Sequence, residues 1–564
     1  MDNTMDKRLI EVDFPLKQTS LDSVHEKNVR HGHISTLHIW PARRPLAASR
    51  AALIATLLPD PGNEEERKMI MEKLAGHIVE HVKKKKSADG RNEDQNIVET
   101  EGGILHWGRE SGADLQWFRD KIREAYGGRA PRIYDPFAGG GAIPFEAMRL
   151  GCEVTAVDIN PVAWFILKCT LEYPQRLANQ YRPLPSFACQ SREFMESYFK
   201  AKGFKGAALE VQLTSLGLPM NQASQPQLIG IQTKVASVEA DLAWHIRAWG
   251  WWVLQQARAD LAPFYPIVDN KPTVAYLWAR TVSCKNCRAT VPLLKTRWLS
   301  KKDNKRVVLT MEPNANKTGV TFGIQNDAPS LAKGSAAQKR EHDKKMAGGT
   351  MSRSGVTCPC CSTIMTMEDI RREAQSGRLS EILTTVVVEG EGGKEYRKPT
   401  YEETNMAVEA KQELPKLYAE IPFGLPDELT PKGGNGASRA FSVDGYGFDK
   451  WHKLFTSRQL LAIGTFIKYT RTVREVIQKY GYSQEWVEAI SAFLAIILDR
   501  AANYMSTICI WEPVASEIKQ TFLRFALPIT WDFAEANPLS VNDRFYNGAI
   551  SNVGRVLDTS SSVI

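Results

Sequence analysis

Ile133-Tyr134-Asp135-Pro136-Phe137-Ala138-Gly139-Gly140-Gly141, followed by Ala156-Val157-Asp158-Ile159-Asn160-Pro161, decides how the chain folds. The residues before Asp135 read as a short buried strand. The three glycines let the backbone turn tightly and approach a ligand with no Cβ in the way. Ala142 to Leu150 reads as a helix that Gly151 ends in the manner of a C-cap. Glu153 to Val157 reads as a second strand, with Asp158 at its carboxyl end. A strand, a glycine loop, a helix, a strand and then an acid about 20 residues on place a ribose-binding carboxylate at the carboxyl edge of a parallel sheet. Asn160-Pro161 caps a further helix running to about Tyr173. The core thus opens β-α-β-α, the order of a parallel sheet.

The loop lacks the G-x-G-x-x-G spacing of dinucleotide sites, and the chain holds no G-x-x-x-x-G-K-[ST] phosphate loop. Both absences argue against a pyrophosphate. Asp-Pro-Phe-Ala-Gly-Gly-Gly with Asp158 resembles instead the S-adenosylmethionine (SAM) site of DNA methyltransferases. In that family the loop passes the methionine moiety and the acid takes the ribose hydroxyls. The resemblance implies cofactor contacts from Asp135, Pro136, Phe137, Ala138, Gly139, Gly140, Gly141, Asp158, Ile159 and Asn160. The alternative is an ordinary βα turn that needs glycine for geometry alone.

At 564 residues, 43% hydrophobic and 24% charged, the chain has the composition of a globular protein with two to four domains. Its net charge of +8 is mildly basic and compatible with a polyanionic partner. No apolar run is long enough to span a bilayer, and Met1 to Lys7 lacks a signal-peptide core. The expectation is a cytoplasmic protein with no membrane partner. Nine cysteines, several clustered, then argue for metal rather than disulfides.

Cys284-Lys-Asn-Cys287 and Cys358-Pro-Cys-Cys361 are two C-x-x-C knuckles, the pattern of a structural Zn²⁺ site made of four cysteine thiolates. Free thiols or a redox pair are the alternatives. Cys360 is a spare that could substitute as a ligand. Ser300 to Met351, with strand-like Val307 to Thr310, reads as an insertion between the knuckles. Cys152, Cys169, Cys189 and Cys509 read as core thiols.

Elsewhere, His31 to Leu46 packs three histidines, two arginines, a tryptophan and two prolines into one run, which looks like a site. Its histidines read as satisfied or substrate-facing rather than metal-bound, and a helix follows to Leu58. Lys83 to Asn96 reads as an exposed linker, and 183–232 as a partly ordered insertion. Val235 to Leu261 reads as a helix whose tryptophans face a core. Thr384 to Val388 reads as a strand, Gly390 to Gly393 as a turn and Lys432 to Gly436 as a flexible loop. Two helices follow, one capped at Thr456 or Ser457 and one over Ser483 to Tyr504, and Thr559 to Ser562 reads as frayed. The domain expectation is an N-terminal segment over 1–60, the methyltransferase core over 61–182, and an insertion with the long helix over 183–270. The zinc module follows over 271–400 and a helical C-terminal part over 401–564.

The His31–Pro45 run, the Asp135–Gly141 loop, Asp158 to Pro161, the paired knuckles, Leu454-Phe455-Thr456-Ser457-Arg458-Gln459 and Trp531-Asp532-Phe533-Ala534-Glu535 occur in one order. Together they resemble adenine-specific DNA methylases that contain a zinc ribbon. That resemblance implies an α/β, Rossmann-like SAM-dependent core with an inserted four-cysteine zinc ribbon. It also implies methyl transfer to adenine N6 of double-stranded DNA, in a restriction or phage-defence setting, with His33 and Pro41 beside the methionine end. Amino-methyltransferases of this kind use an [Asn/Asp/Ser]-Pro-Pro-[aromatic] loop to hold the flipped base. The sequence contains no Pro-Pro pair, and Asn537-Pro538 and Glu512-Pro513 are poor stand-ins. The catalytic residues are therefore unassigned, and the chain looks like the SAM-binding part of a split or truncated enzyme, its acceptor loop expected from a second subunit or from a missing C-terminal part. The competing reading is a non-catalytic zinc-containing DNA-binding or assembly subunit. Methylation of RNA or protein is a third reading.

Overall fold

The computed structural model describes residues 7–86, 92–218, 238–302, 304–331, 334–433, 440–540 and 545–561. The chain divides into two units, one of residues 1–249, 480–496 and 551–564, the other of 250–479 and 497–550.

After a single helical turn at Leu9–Val12, the first unit continues with helices α1 (Leu16–Glu26), α2 (Leu46–Leu57) and α3 (Glu64–Ala75). Glu26, at the end of α1, accepts hydrogen bonds from Leu46 N (2.9 Å) and Ala47 N (3.0 Å), so it satisfies the orphan donors of α2. Ala47, Ala51, Ile54 and Leu57 of α2 pack with Leu74, Ile104, Leu115, Phe118 and Ile122 in one core. β1 (His77–Lys86) and β2 (Asn92–Glu101) follow as an antiparallel hairpin, paired from His77↔Glu101 to Lys86↔Asn92. The linker read from the lysines is therefore wrong on both sides of residues 87–91, which lie outside the described residues. Its lysines continue a strand begun by Ile78, Val79 and Val82, and the returning strand brings Ile97 and Val98.

After α4 (Ala113–Ala125), the deciding stretch forms the elements read from it: β3 (Arg132–Asp135), α5 (Ala142–Arg149), β4 (Glu153–Ala156) and α6 (Pro161–Leu167). β3 is not the buried strand expected: β4 is its one paired neighbour among the described residues, and Tyr134 is 65% exposed. β3 and β4 run parallel, with Arg132 opposite Glu153 and Asp135 opposite Ala156. Gly151 has φ +79 and closes α5 as expected. Asn160 caps α6 through its side chain, which accepts from Val162 N at 2.9 Å. Among the described residues the parallel sheet consists of these two strands; a full doubly wound sheet is not present.

The insertion expected over 183–232 is helical where it is described. Its main element, α7 (Arg192–Ala201), is capped by Ser191 and buries Phe194, Met195, Tyr198 and Phe199. That apolar stripe was masked by the surrounding Pro, Gln and Ser residues; residues 219–237 lie outside the described set. The tryptophan helix starts at Leu242, later than Val235, because Asp241 accepts from Trp244 N at 3.1 Å and caps it. Trp244 and Trp249 are buried, as a core stripe should be.

The second unit is built on an antiparallel sheet. β5 (Thr273–Ser283) is buried along nearly its whole length. Its last residues pair with β6 (Thr290–Leu293). A three-stranded sheet of β7 (Trp298–Lys302), β8 (Lys305–Pro313) and β9 (Val320–Gln325), with helix α8 (Ala336–Ala347), forms the insertion between the knuckles. The second knuckle sits on the hairpin β10 (Gly355–Thr357) and β11 (Ile364–Thr366). β12 (Ser380–Gly390) and β13 (Gly393–Arg397) extend the large sheet. Lys432 and Gly433 of the expected loop are described as loop; 434–439 lie outside the described residues.

Thr456 caps the helix Ser457–Lys479 and accepts from Gln459 N at 3.1 Å. Gln484–Ala502 is the next long helix. Trp531 to Glu535 departs from the helical reading: β14 (Asp532–Ala536) pairs antiparallel with Ala275–Ala279 of β5. Its alternation of Phe533 and Glu535 with alanines was too short to read as a strand. Thr559 to Ser561 is helical rather than frayed, with Ser560 buried.

Candidate functional site

The glycine loop opens onto a cavity of about 340 Å³, within the range of roughly 300–1,000 Å³ that small-molecule sites occupy. Its wall comes from two segments. One is the loop and strand ends: Asp135, Phe137, Ala138, Gly139, Gly140 and Asp158. The other is the His/Arg/Trp run, which supplies His33, Ser35, His38, Trp40, Arg43 and Arg44. Pro136, Gly141, Ile159, Asn160 and Pro41 lie outside the wall. Ile159 is exposed beside it, and Asn160 holds the helix that follows. Trp40, Arg43 and Arg44 belong to the run that reads as a site, but of that run only His33 and Pro41 received a role from sequence; two adjacent arginines after a Trp-Pro were the available signal.

Asp158 ties the loop together. One carboxylate oxygen accepts from Gly139 N at 2.9 Å and the other from Asn160 N at 2.9 Å. Each oxygen keeps a further lone-pair site for a ligand hydroxyl. Gly139 has φ +50, and a Cβ there would lie 2.7 Å from the Trp40 indole nitrogen. Glycine is thus required twice over, by conformation and by the tryptophan stacked against the loop. Gly141, at φ +84, leads directly into α5.

His33 is buried, and both ring nitrogens are engaged: Nδ1 with Ser35 Oγ at 2.5 Å and Nε2 with Glu26 at 2.9 Å. Burial pushes the Glu26 carboxyl up, but His33 and the α2 amides outweigh it and hold the group below its ordinary value. His33 therefore fixes the wall through Glu26 rather than reaching into the cavity with a free nitrogen.

Behind the cavity, α2 and α5 are joined by a buried ionic network. Arg50 donates to Glu146 at 2.6 and 3.1 Å and to the Ile104 carbonyl. Arg149 contacts the same carboxylate at 3.2 Å. Burial alone would neutralise Glu146, yet Arg50 and Arg149 hold it below the usual carboxylate range. The network clamps the helix that follows the glycine loop to the helix that follows the His/Arg/Trp run.

In the second unit the thiols of Cys284, Cys287, Cys358 and Cys361 all lie within 4.8 Å of one another. Cys284 to Cys361 and Cys287 to Cys358 are each 3.7 Å. A disulfide would need about 2.05 Å, whereas a tetrahedron with metal–sulfur bonds of about 2.3 Å has sulfur–sulfur edges of about 3.8 Å. The four thiols fit a tetrahedral metal site. Cys360 is not one of them; its thiol donates to the Gly319 carbonyl at 3.3 Å.

Residues 115–213 match the family model for D12 class N6 adenine-specific DNA methyltransferase. The resemblance read from the glycine loop and Asp158 is borne out over that span. Residues 13–90 match the model of a protein family of unknown function, DUF1156. The cavity wall is therefore shared: the D12 methyltransferase segment gives the loop and Asp158, and the DUF1156 segment gives His33 to Arg44. No curated protein and no solved structure matches the chain. Among the described residues, no helix is long and apolar enough to cross a membrane.

Proposed function

We propose that the protein is the SAM-binding part of a DNA adenine N6-methyltransferase, with Zn²⁺ on its four clustered cysteines. The observation that carries the reading is the coincidence of the D12 match with a cavity at the glycine loop that Asp158 lines. The residues present suit the cofactor. Asp158 retains acceptor capacity for a ribose diol, the glycines leave the loop open, and Arg43 and Arg44 bring cations for a carboxylate. SAM supplies an electrophilic methyl group. Transfer forms a carbon–nitrogen bond to N6 of adenine and breaks the carbon–sulfur bond, leaving the electron pair on sulfur and releasing a proton from the amine.

The chain's own residues bind and orient the donor. The acceptor amine needs a separate grip, because its lone pair is delocalised into the ring and its line of attack must be fixed. No Pro-Pro loop is in the sequence. Asn537 is a poor replacement: it is buried, and its amide already bridges Thr273 O at 2.9 Å and Leu539 N at 3.0 Å within its own sheet and turn. We therefore assign the acceptor loop to a second subunit or to a C-terminal part outside these 564 residues.

The test is transfer of labelled methyl from SAM to duplex DNA by the purified chain, alone and with a protein carrying an Asp-Pro-Pro-Tyr-type loop. SAM binding without turnover by the chain alone, and N6-methyladenine with the partner, is the expected result. Robust methylation by the chain alone refutes that assignment. Absence of SAM binding favours the non-catalytic scaffold.

A further inference from the structure

The knuckle module, residues 284–366, carries 15 lysines and arginines against 5 acids, a net charge of +10. The whole chain carries +8, so the other 481 residues together carry −2. The mild basicity of the protein is thus the property of one module, and a module-level charge of this size is the electrostatic footprint of a polyanion site.

Much of this charge is exposed to solvent. One of the five acids, Asp343, is taken up internally by Arg306 and Lys301. Those two cations also flank the buried Trp298 ring, at 4.6 and 5.3 Å, where α8 packs on β7 and β8. Arg288, Lys302, Lys317, Lys344, Lys345 and Arg353 are all exposed.

Two of them are held together. Lys317 lies in the β8–β9 turn, and Arg288 lies just after the first knuckle. The turn is pinned to the knuckles by Thr290 N donating to Thr318 O at 2.9 Å and by the Cys360 thiol on Gly319 O. Both residues sit at left-handed positions, φ +63 for Arg288 and +54 for Lys317. Such positions favour glycine or asparagine, and here each carries a long cation. α8 adds Lys344 and Lys345 in its last turn.

We propose that this module is the surface that grips the phosphate backbone of duplex DNA, with Arg288 and Lys317 braced by the cysteine cluster and Lys344 and Lys345 on α8. The choice of DNA rests on the methyltransferase reading above.

The experiment is fluorescence anisotropy of the full chain on a labelled DNA duplex of about 25 base pairs over a salt series. Each phosphate contact contributes about 0.9 to the slope of log affinity against log salt. The double variants Arg288→Gln/Lys317→Gln and Lys344→Gln/Lys345→Gln should each lower that slope by about 2 and weaken binding roughly tenfold or more at 0.1 M salt. Lys411→Gln/Lys416→Gln, which removes the same charge from exposed positions outside the module, should leave both nearly unchanged. An equal loss in that control, an unchanged slope in both module variants, or tighter binding of an RNA duplex of the same length overturns the proposal. SAM titration of the same proteins separates the two claims. Retained SAM binding with unaltered DNA binding defeats the surface alone. Absent SAM binding with the expected slope changes defeats the methyltransferase reading and leaves the surface standing.

Discussion

Replacing Glu146 by alanine tests whether the ionic network behind the cavity holds the two walls together. The side chain is 0% exposed, and Arg50 beside it is 1% exposed. Removing the carboxylate leaves Arg50 and Arg149, two like charges, buried with the Ile104 and Glu110 carbonyls as hydrogen-bond partners and without the carboxylate that paired them. Breaking a buried pair by deleting one partner costs about 3–5 kcal/mol. That is a large share of the roughly 5–15 kcal/mol that stabilises a typical domain. Urea denaturation of Glu146→Ala should therefore show a midpoint well below that of the native protein, and SAM affinity should fall because α2 and α5 no longer fix their walls. The double variant Arg50→Met/Glu146→Leu, which removes the pair and keeps its volume, should recover much of the loss, since apolar substitutes for buried pairs are often neutral. A stability change below about 0.5 kcal/mol in Glu146→Ala, the level of an ordinary surface substitution, would refute the reasoning.

Three further outcomes are expected. Asp158→Ala removes a charged acceptor, and bonds to such groups are worth roughly 1.5–3 kcal/mol; SAM affinity by calorimetry should fall about 10- to 100-fold, and unchanged affinity in a folded variant places the site elsewhere. Metal analysis of the purified protein should give close to one zinc per chain, and Cys287→Ser should lower that stoichiometry, because a closed site of four thiolates contributes folding energy directly. Burial raises Asp532 to about 6. A carboxyl raised in the folded state favours folding below its unfolded value near 4 and opposes it as pH rises through 6, so Asp532→Asn should stabilise the protein at pH 8 and have little effect at pH 4, as read by thermal unfolding at the two pH values.

The parts of the site legible in the sequence were those fixed by local chemistry. The glycine loop, its flanking strands and Asp158 are determined within about 25 residues of chain, and their roles follow from backbone geometry. The cysteine knuckles were legible for the same reason, since two C-x-x-C pairs leave little freedom in how four thiols converge. What stayed hidden depends on distant partners. His33 read as satisfied or substrate-facing, and nothing near it announced that Glu26, seven residues earlier, takes its Nε2 and caps α2 as well. Nothing in the helix that follows the His/Arg/Trp run singles out Arg50, and only the packing of α5 shows that it meets Glu146. The β1–β2 hairpin was missed because composition outweighed pattern: four lysines concealed a strand whose ladder begins six residues before them.

The large sheet of the second unit carries a consequence for how the protein is made. β5 has one long edge taken by β12 and the other shared by β6 and β14. The β14 pairing joins Ala275 to Ala536, a separation of about 260 residues. At the roughly 5–20 residues per second of protein synthesis, β5 leaves the ribosome about 13 to 50 seconds ahead of the strand that covers its edge. For that interval an apolar strand with unpaired amides is available to other nascent chains, the hazard that accompanies contacts far apart in sequence. The knuckle module and its insertion are synthesised within the same window and can fold first. Production of the protein should therefore depend more on chaperone supply and growth temperature than its final burial suggests.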